Sequence, residues 1–141
     1  MPQFISLPFS MMNVYQGFAE ANGIAKASEA GLLLEFQIKD GLVGVLKSDI
    51  KEVTIPIQEI FSVELQVIWF ITRLIIRTKS MVTVSDVPGN KAGQITLWIA
   101  PKHRQVAREL VTTLKLSMAE KELDGLKEEI AQLSDGTNLS C

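Results

Sequence analysis

The chain has 141 residues and a mass of 15.6 kDa, the size of one domain with its own core. Hydrophobic residues make up 47% and charged residues 21%, values that exclude an intrinsically disordered chain. The 14 Lys and Arg and the 16 Asp and Glu are interspersed and give a net charge of −2. This balance argues against nucleic acid as the main partner and against a strongly anionic surface, although it permits a local basic patch.

Cysteine and histidine are scarce in the chain. Cys141 is the only cysteine and His103 the only histidine, so no intrachain disulfide and no Cys–His metal cluster can form, and we expect no metal and no cofactor. A reducing cytoplasm suits such a chain. The N-terminal residues lack the features of a signal peptide. The most apolar segment, residues 67–76, is about half as long as a membrane-spanning helix must be.

The first 21 residues form an N-terminal extension whose structure the sequence leaves open. Residues 11–21 are compatible with one or two helical turns. Residues 3–9 are compatible with an added strand, in which Pro8 would suit a sheet edge because proline cannot donate a backbone hydrogen bond.

From residue 23 onward, apolar and polar residues alternate, which indicates strands with one face in a core and the other in water. Turn residues separate them, including Glu29–Ala30–Gly31, Lys39–Asp40–Gly41, Lys47–Ser48–Asp49 and Val87–Pro88–Gly89–Asn90. No helical pattern lies between the strands, so an antiparallel barrel or sandwich is favoured. The predicted strands are residues 23–28, 32–39, 52–57, 63–67, 73–77, 82–84 and 95–99.

The spacing of the apolar residues changes at Pro101 from that of a strand to that of a helix, and proline suits the first turn of a helix. An apolar face with helical spacing follows as far as Met118, so an amphipathic helix should cover the open end of the sheet. Its apolar residues are Val106, Ala107, Leu110, Val111, Leu114 and Met118. The fold class is thus mainly β, an open antiparallel β-barrel of about seven strands capped by one long C-terminal helix.

A second apolar pattern overlaps the end of this helix and has the alternating spacing of three and four that is typical of a coiled-coil seam. Residues 119–133 would be a helical extension that carries most of it, and residues 134–141 a flexible tail. Gly125 weakens the helix by about 1 kcal/mol relative to Ala. The seam consists of Leu116, Ala119, Leu123, Leu126, Ile130 and Leu133.

The order of elements resembles that of a pleckstrin-homology-like domain of the bacterial branch. Residues 54–64 are similar to the third and fourth strands of those domains, and residues 95–99 with Ala107, Leu110 and Leu114 to their last strand and capping helix. The resemblance covers residues 22–118. It implies a scaffold used for lipid head groups, peptides, proteins or self-assembly. Phosphoinositide-binding members carry a basic loop between their first two strands, whereas residues 28–31 are acidic or neutral.

No constellation of residues supports catalysis, so we expect that the protein is not an enzyme. His103 lies in the first turn of the helix between Lys102 and Arg104, a solvated context. The strand acids Glu35, Glu52 and Glu64 alternate outward, where solvent alone accounts for them.

Two groups on the strands are candidate contact sites. Lys47, Arg73 and Arg77 form a candidate anion contact, with a solvated strand face as the alternative. Trp69 and Phe70 lie at a strand corner where polar residues are usual. They either pack into the core beneath the N-terminal segment or contact a protein or a membrane.

The C-terminal seam also has two interpretations, folding back onto its own domain or pairing with a helix of another molecule. The barrel needs the helix only to about Met118, so the remainder requires another apolar surface, and a second copy of the chain supplies one. The sequence therefore predicts a non-catalytic interaction or assembly module that self-associates through its C-terminal helix. The alternative is a peripheral domain that binds membranes or anionic lipids through Trp69, Phe70, Arg73, Arg77 and Lys47.

Overall fold

The computed structural model describes residues 4–14, 19–40 and 50–139. Three short 3₁₀ turns lie at Ile57–Glu59, Met81–Val84 and Pro101–His103, and the helix α1 spans Arg104–Leu139. The strands are β1 (Ile5–Val14), β2 (Ala19–Ser28), β3 (Gly31–Asp40), β4 (Lys51–Pro56), β5 (Ile60–Ile68), β6 (Ile71–Thr78) and β7 (Gln94–Ile99).

The seven strands form one antiparallel sheet in the order β4-β3-β2-β1-β7-β6-β5. The first strand pairs with the last through Ser10 and Trp98, which joins the two halves of the sheet. Consecutive strands β4 and β5 therefore lie at opposite edges, connected through the turn at Ile57–Glu59. The sheet is not closed. This architecture confirms the predicted fold class, an open antiparallel barrel followed by one long helix.

The inner face of the sheet and the first half of α1 form a single core. Ala107, Leu110 and Leu114 of the helix are fully buried against the strands. Removal of such side chains from water is the main favourable term in folding, about 25 cal/mol for each Å² of apolar surface. The largest fully buried strand residues are Leu7, Leu32, Leu34, Phe36, Ile55, Ile60, Leu74, Ile76, Ile95 and Leu97.

The N-terminal residues are a central part of the sheet, which corrects the domain boundary drawn at residue 22. Leu7, Phe9 and Met11 of β1 are buried in the core, and residues 11–14 and 19–21 are strand rather than helix. Pro8 suggested an edge position, yet β1 lies between β2 and β7. Proline is tolerated there because the β7 side of β1 is paired at Ser10 and not at Pro8.

The segment 82–84 is a 3₁₀ turn and not the predicted strand. The Ser80 side-chain oxygen accepts a hydrogen bond from the Val82 backbone N–H, which starts the turn. Within this turn Val82 is exposed and Val84 is fully buried. The two valines therefore do not share one face, as they would in a strand.

The helix begins where the sequence predicts and is longer than expected. Pro101 opens the 3₁₀ turn that leads into α1, and α1 continues to Leu139 through most of the predicted flexible tail 134–141. The predicted turn at 47–49 and the terminal Cys141 lie outside the described residues.

Two glycines give a matched test of the packing. A Cβ on Gly23 would overlap the carbonyl oxygen of Glu35 and lie 2.7 Å from the Cβ of Phe36, whereas a Cβ on Gly125 in α1 would meet nothing within 4 Å. We expect Gly23→Ala to lower the free energy of unfolding by about 1–3 kcal/mol through overpacking. Gly125→Ala should cause no loss, because alanine favours the helix. Urea unfolding measures both, and equal losses in the two variants would contradict the register of β2 against β3.

Candidate functional site

The connection between β5 and β6 is a two-residue turn made of Trp69 and Phe70, because Ile68 pairs directly with Ile71. Their side chains are 86% and 83% exposed. We call residues 67–71 the aromatic tip, since Val67, Ile68 and Ile71 are exposed apolar residues as well. Of the two interpretations of Trp69 and Phe70, the structure supports exposure rather than burial in the core.

Trp69 is held in an unfavourable backbone conformation. Its φ is 54°, in the left-handed region where two-residue hairpin turns normally place Gly, Asn or Asp. A bulky side chain there costs about 1–2 kcal/mol. Strain of this kind at an exposed position is typical of residues kept for function rather than stability.

Arg104, the first residue of α1, fixes the base of the aromatic tip. Its Nε donates a hydrogen bond to Oγ1 of the buried Thr72 at 3.0 Å, and its Nη2 donates to the Trp69 carbonyl oxygen at 3.3 Å. These bonds tie the start of the helix to the turn and so hold the aromatic side chains in place. From the sequence alone, Arg104 is expected only to belong to the solvated surroundings of His103. Its position in the sequence, three residues after Pro101, does not predict the contacts with Thr72 and Trp69.

The two described residues of the candidate anion contact, Arg73 and Arg77, lie apart along β6 and have different partners. The Arg73 guanidinium carbon lies 5.4 Å from the ring centroid of Trp98. Arg77 donates a hydrogen bond from Nε to Oε1 of Gln94 at 3.0 Å. The Cα atoms of Arg73 and Arg77 are about 13 Å apart along β6, given the usual rise per residue of a strand. Lys47 lies outside the described residues.

The C-terminal seam is exposed on α1. Its large residues are 50% to 70% exposed, and Ala119 is exposed too; they are Leu116, Leu123, Leu126, Ile130 and Leu133. Every residue from 119 to 134 is exposed, so this part of α1 extends beyond the barrel. At 1.5 Å per residue, the helix after Met118 is about 30 Å long.

The seam faces away from the barrel. Helical residues follow one another at about 100°, which places the centre of the seam about 150° around the helix from the buried face of Ala107, Leu110 and Leu114. Ser117 is buried while its neighbour Leu116 is exposed, as this geometry requires. A second helix can therefore lie along the seam without touching the chain's own barrel.

The strand acids Glu35, Glu52 and Glu64 are ordinary surface residues of the sheet. Glu35 forms a salt bridge with Lys26 at 3.0 Å and lies opposite Glu52 in the sheet, and Glu64 is exposed. In the part of the chain that the structure describes, no group of three His, Cys, Asp or Glu side chains could hold a metal ion. Two open surface cavities of about 170 and 190 Å³ lie on the outer face of β2 and β3.

None of the helices among the described residues is both long and apolar enough to cross a membrane. No known protein family, curated protein or solved structure matches the chain. The aromatic tip and the C-terminal seam, both exposed and apolar, are the candidate contact surfaces of the described residues.

Replacement of Trp69 tests whether its conformation is strained. We expect Trp69→Gly to raise the free energy of unfolding by about 1 kcal/mol, because glycine adopts a positive φ without steric cost. Phe70→Gly is the matched control and should lower it, because Phe70 does not have a positive φ and glycine only adds entropy to the unfolded chain. Thermal or urea unfolding of both variants provides the measurement. A loss of stability in Trp69→Gly would show that the indole ring stabilises the fold.

Proposed function

We propose that the chain is a non-catalytic interaction and assembly module of the pleckstrin-homology-like type, which acts in the cytoplasm as a homodimer joined through the C-terminal seam. The observation that carries this proposal is the apolar seam on a stretch of helix, residues 119–134, in which every residue is exposed. Most helical stability in proteins comes from packing of an apolar face, and residues 119–134 leave such a face exposed in the single chain.

The charges beside the seam favour a second copy of the same chain as the partner. Leu116, Leu123 and Ile130 take the a positions of the heptad. In a parallel, in-register pair, the g residue of each heptad then faces the next e residue of the other copy. Lys115 faces Glu120 of the second copy, and Glu122 faces Lys127 of the second copy.

Each of these two contacts joins opposite charges, and the twofold symmetry repeats them. All four side chains are exposed in the single chain and free of the barrel's buried face. An antiparallel pair would instead set Glu122 against Glu129 of the second copy, which is repulsive. It would also set Glu120 against Lys127, which is attractive, so its charge contacts would offset one another. The charge pattern thus supports the parallel arrangement, with both barrels on the outside of the two helices.

The proposed dimer is tested by a charge placed in the seam. We expect the full chain to sediment at twice 15.6 kDa and Leu126→Asp to sediment as a monomer, because an aspartate at a d position would be buried against apolar neighbours. Gln132→Asp adds the same charge at an outward position of the same helix and should stay dimeric. Sedimentation equilibrium over a range of concentrations gives the masses. A monomeric full chain, or a Leu126→Asp variant as dimeric as the control, would contradict the proposal.

The orientation of the two helices has a separate test. In a Cys141→Ser background, Leu133→Cys should form an interchain disulfide on mild oxidation, because a parallel pair brings the two copies of position 133 together. Gln132→Cys, which points outward, is the control and should cross-link far less. Non-reducing electrophoresis separates the products. An antiparallel dimer would leave Leu133→Cys uncross-linked, since its two copies would lie at opposite ends of the pair.

A further inference from the structure

We propose that the aromatic tip and the cationic residues beside it form a contact site for a bilayer surface with anionic headgroups. This site lies at the opposite end of α1 from the proposed dimer contact and is complete in a single chain. It therefore does not depend on self-association.

Positive charge prevails in the part of the chain that contains the tip, although the whole chain is close to neutral. Seven of the 14 Lys and Arg residues lie between residues 65 and 108, and only one of the 16 Asp and Glu residues, Asp86, lies in the same stretch. Six acidic residues lie between residues 120 and 135, in the C-terminal part of α1, and eight more lie between residues 20 and 64. A negatively charged surface is therefore attracted to the part of the chain that carries the tip and repelled by the C-terminal part of α1.

The fold places several of these cations at the same end of the sheet as the tip. Strand β7 ends at Ile99, which pairs with Thr72 just after the tip, so the chain that follows β7 continues at the level of the tip. Lys102 is exposed there, and Arg104 reaches the Trp69 carbonyl. Arg108 is exposed one helical turn further along the same face.

The shape and chemistry of the tip suit a bilayer better than a groove on another protein. The tip is convex, with two aromatic side chains more than four-fifths exposed at the end of a hairpin. Tryptophan and phenylalanine beside Lys and Arg are the residues found at the membrane–water interface. The Trp69 carbonyl is already hydrogen-bonded by Arg104, which lowers the cost of taking the turn out of water.

Binding to vesicles tests the site in the full chain. We expect the protein to sediment with vesicles of phosphatidylcholine and phosphatidylserine, to bind much more weakly to vesicles of phosphatidylcholine alone, and to be released by salt. Binding that depends neither on the charge of the lipid nor on the salt concentration would overturn the proposed role of the cations. Absence of binding to the mixed vesicles would overturn the site as a whole and would leave a protein groove as the occupant of the tip.

Matched variants locate the contact. Phe70→Ser should weaken binding at least about tenfold, because the phenyl ring loses its burial in the interface. Phe61→Ser removes a Phe that is also exposed but lies at the other end of β5, and should leave binding unchanged. Lys102→Ala should weaken binding about fivefold, whereas Lys79→Ala, beyond the far end of β6, should not. Equal effects within either pair would contradict the assignment to the tip.

Fluorescence reports on the tip directly. The chain has two tryptophans, so Trp98→Phe leaves Trp69 as the only one. Its emission should shift to shorter wavelength on addition of the mixed vesicles and should be quenched by brominated acyl chains. The same shift should persist with Leu126→Asp added, which separates this site from the proposed dimer. An unchanged Trp69 emission during vesicle binding would show that another surface makes the contact.

Discussion

The fold depends on the need to cover one apolar face of a strongly curved sheet. Seven strands turn their Leu, Ile and Phe side chains inward, and the sheet stays open between β4 and β5. The first half of α1 closes the core with Ala107, Leu110 and Leu114. That single requirement sets where the helix begins and which of its faces is buried. It also leaves the opposite face and the second half of the helix available for other contacts.

The sequence carried enough information for the architecture because most elements are encoded locally. Alternation over short segments predicted β2 to β7, and the change of period at Pro101 predicted the helix within three residues of its start. The apolar seam was visible for the same reason, since its spacing does not depend on the rest of the chain. The exposure of that seam, and of the aromatic tip, follows from where the elements lie and needed the structure.

The features that the sequence analysis missed depend on contacts between distant residues. Strand β1 contains Pro8 and lacks clean alternation, and its central place results from pairing with β2 on one side and with Trp98 on the other. The segment 82–84 has a strand-like pattern, but the side chain of Ser80 starts a 3₁₀ turn. Arg104 reaches the Trp69 carbonyl and Thr72, more than thirty residues earlier in the chain. Contacts between residues so far apart in the sequence cannot be predicted from local secondary-structure propensity or from the periodicity of apolar residues.

The pairing of Ser10 with Trp98 has a consequence for how the molecule forms during synthesis. Hairpins such as β2–β3 and β5–β6 join neighbouring segments and can form early, whereas β1 must wait for β7, which the ribosome delivers nearly ninety residues later. Closing so long a loop is slow, and the sheet edge of β1 stays open to other chains in the meantime. Because α1 leaves the ribosome after all seven strands, the barrel core is completed only once α1 has been synthesised.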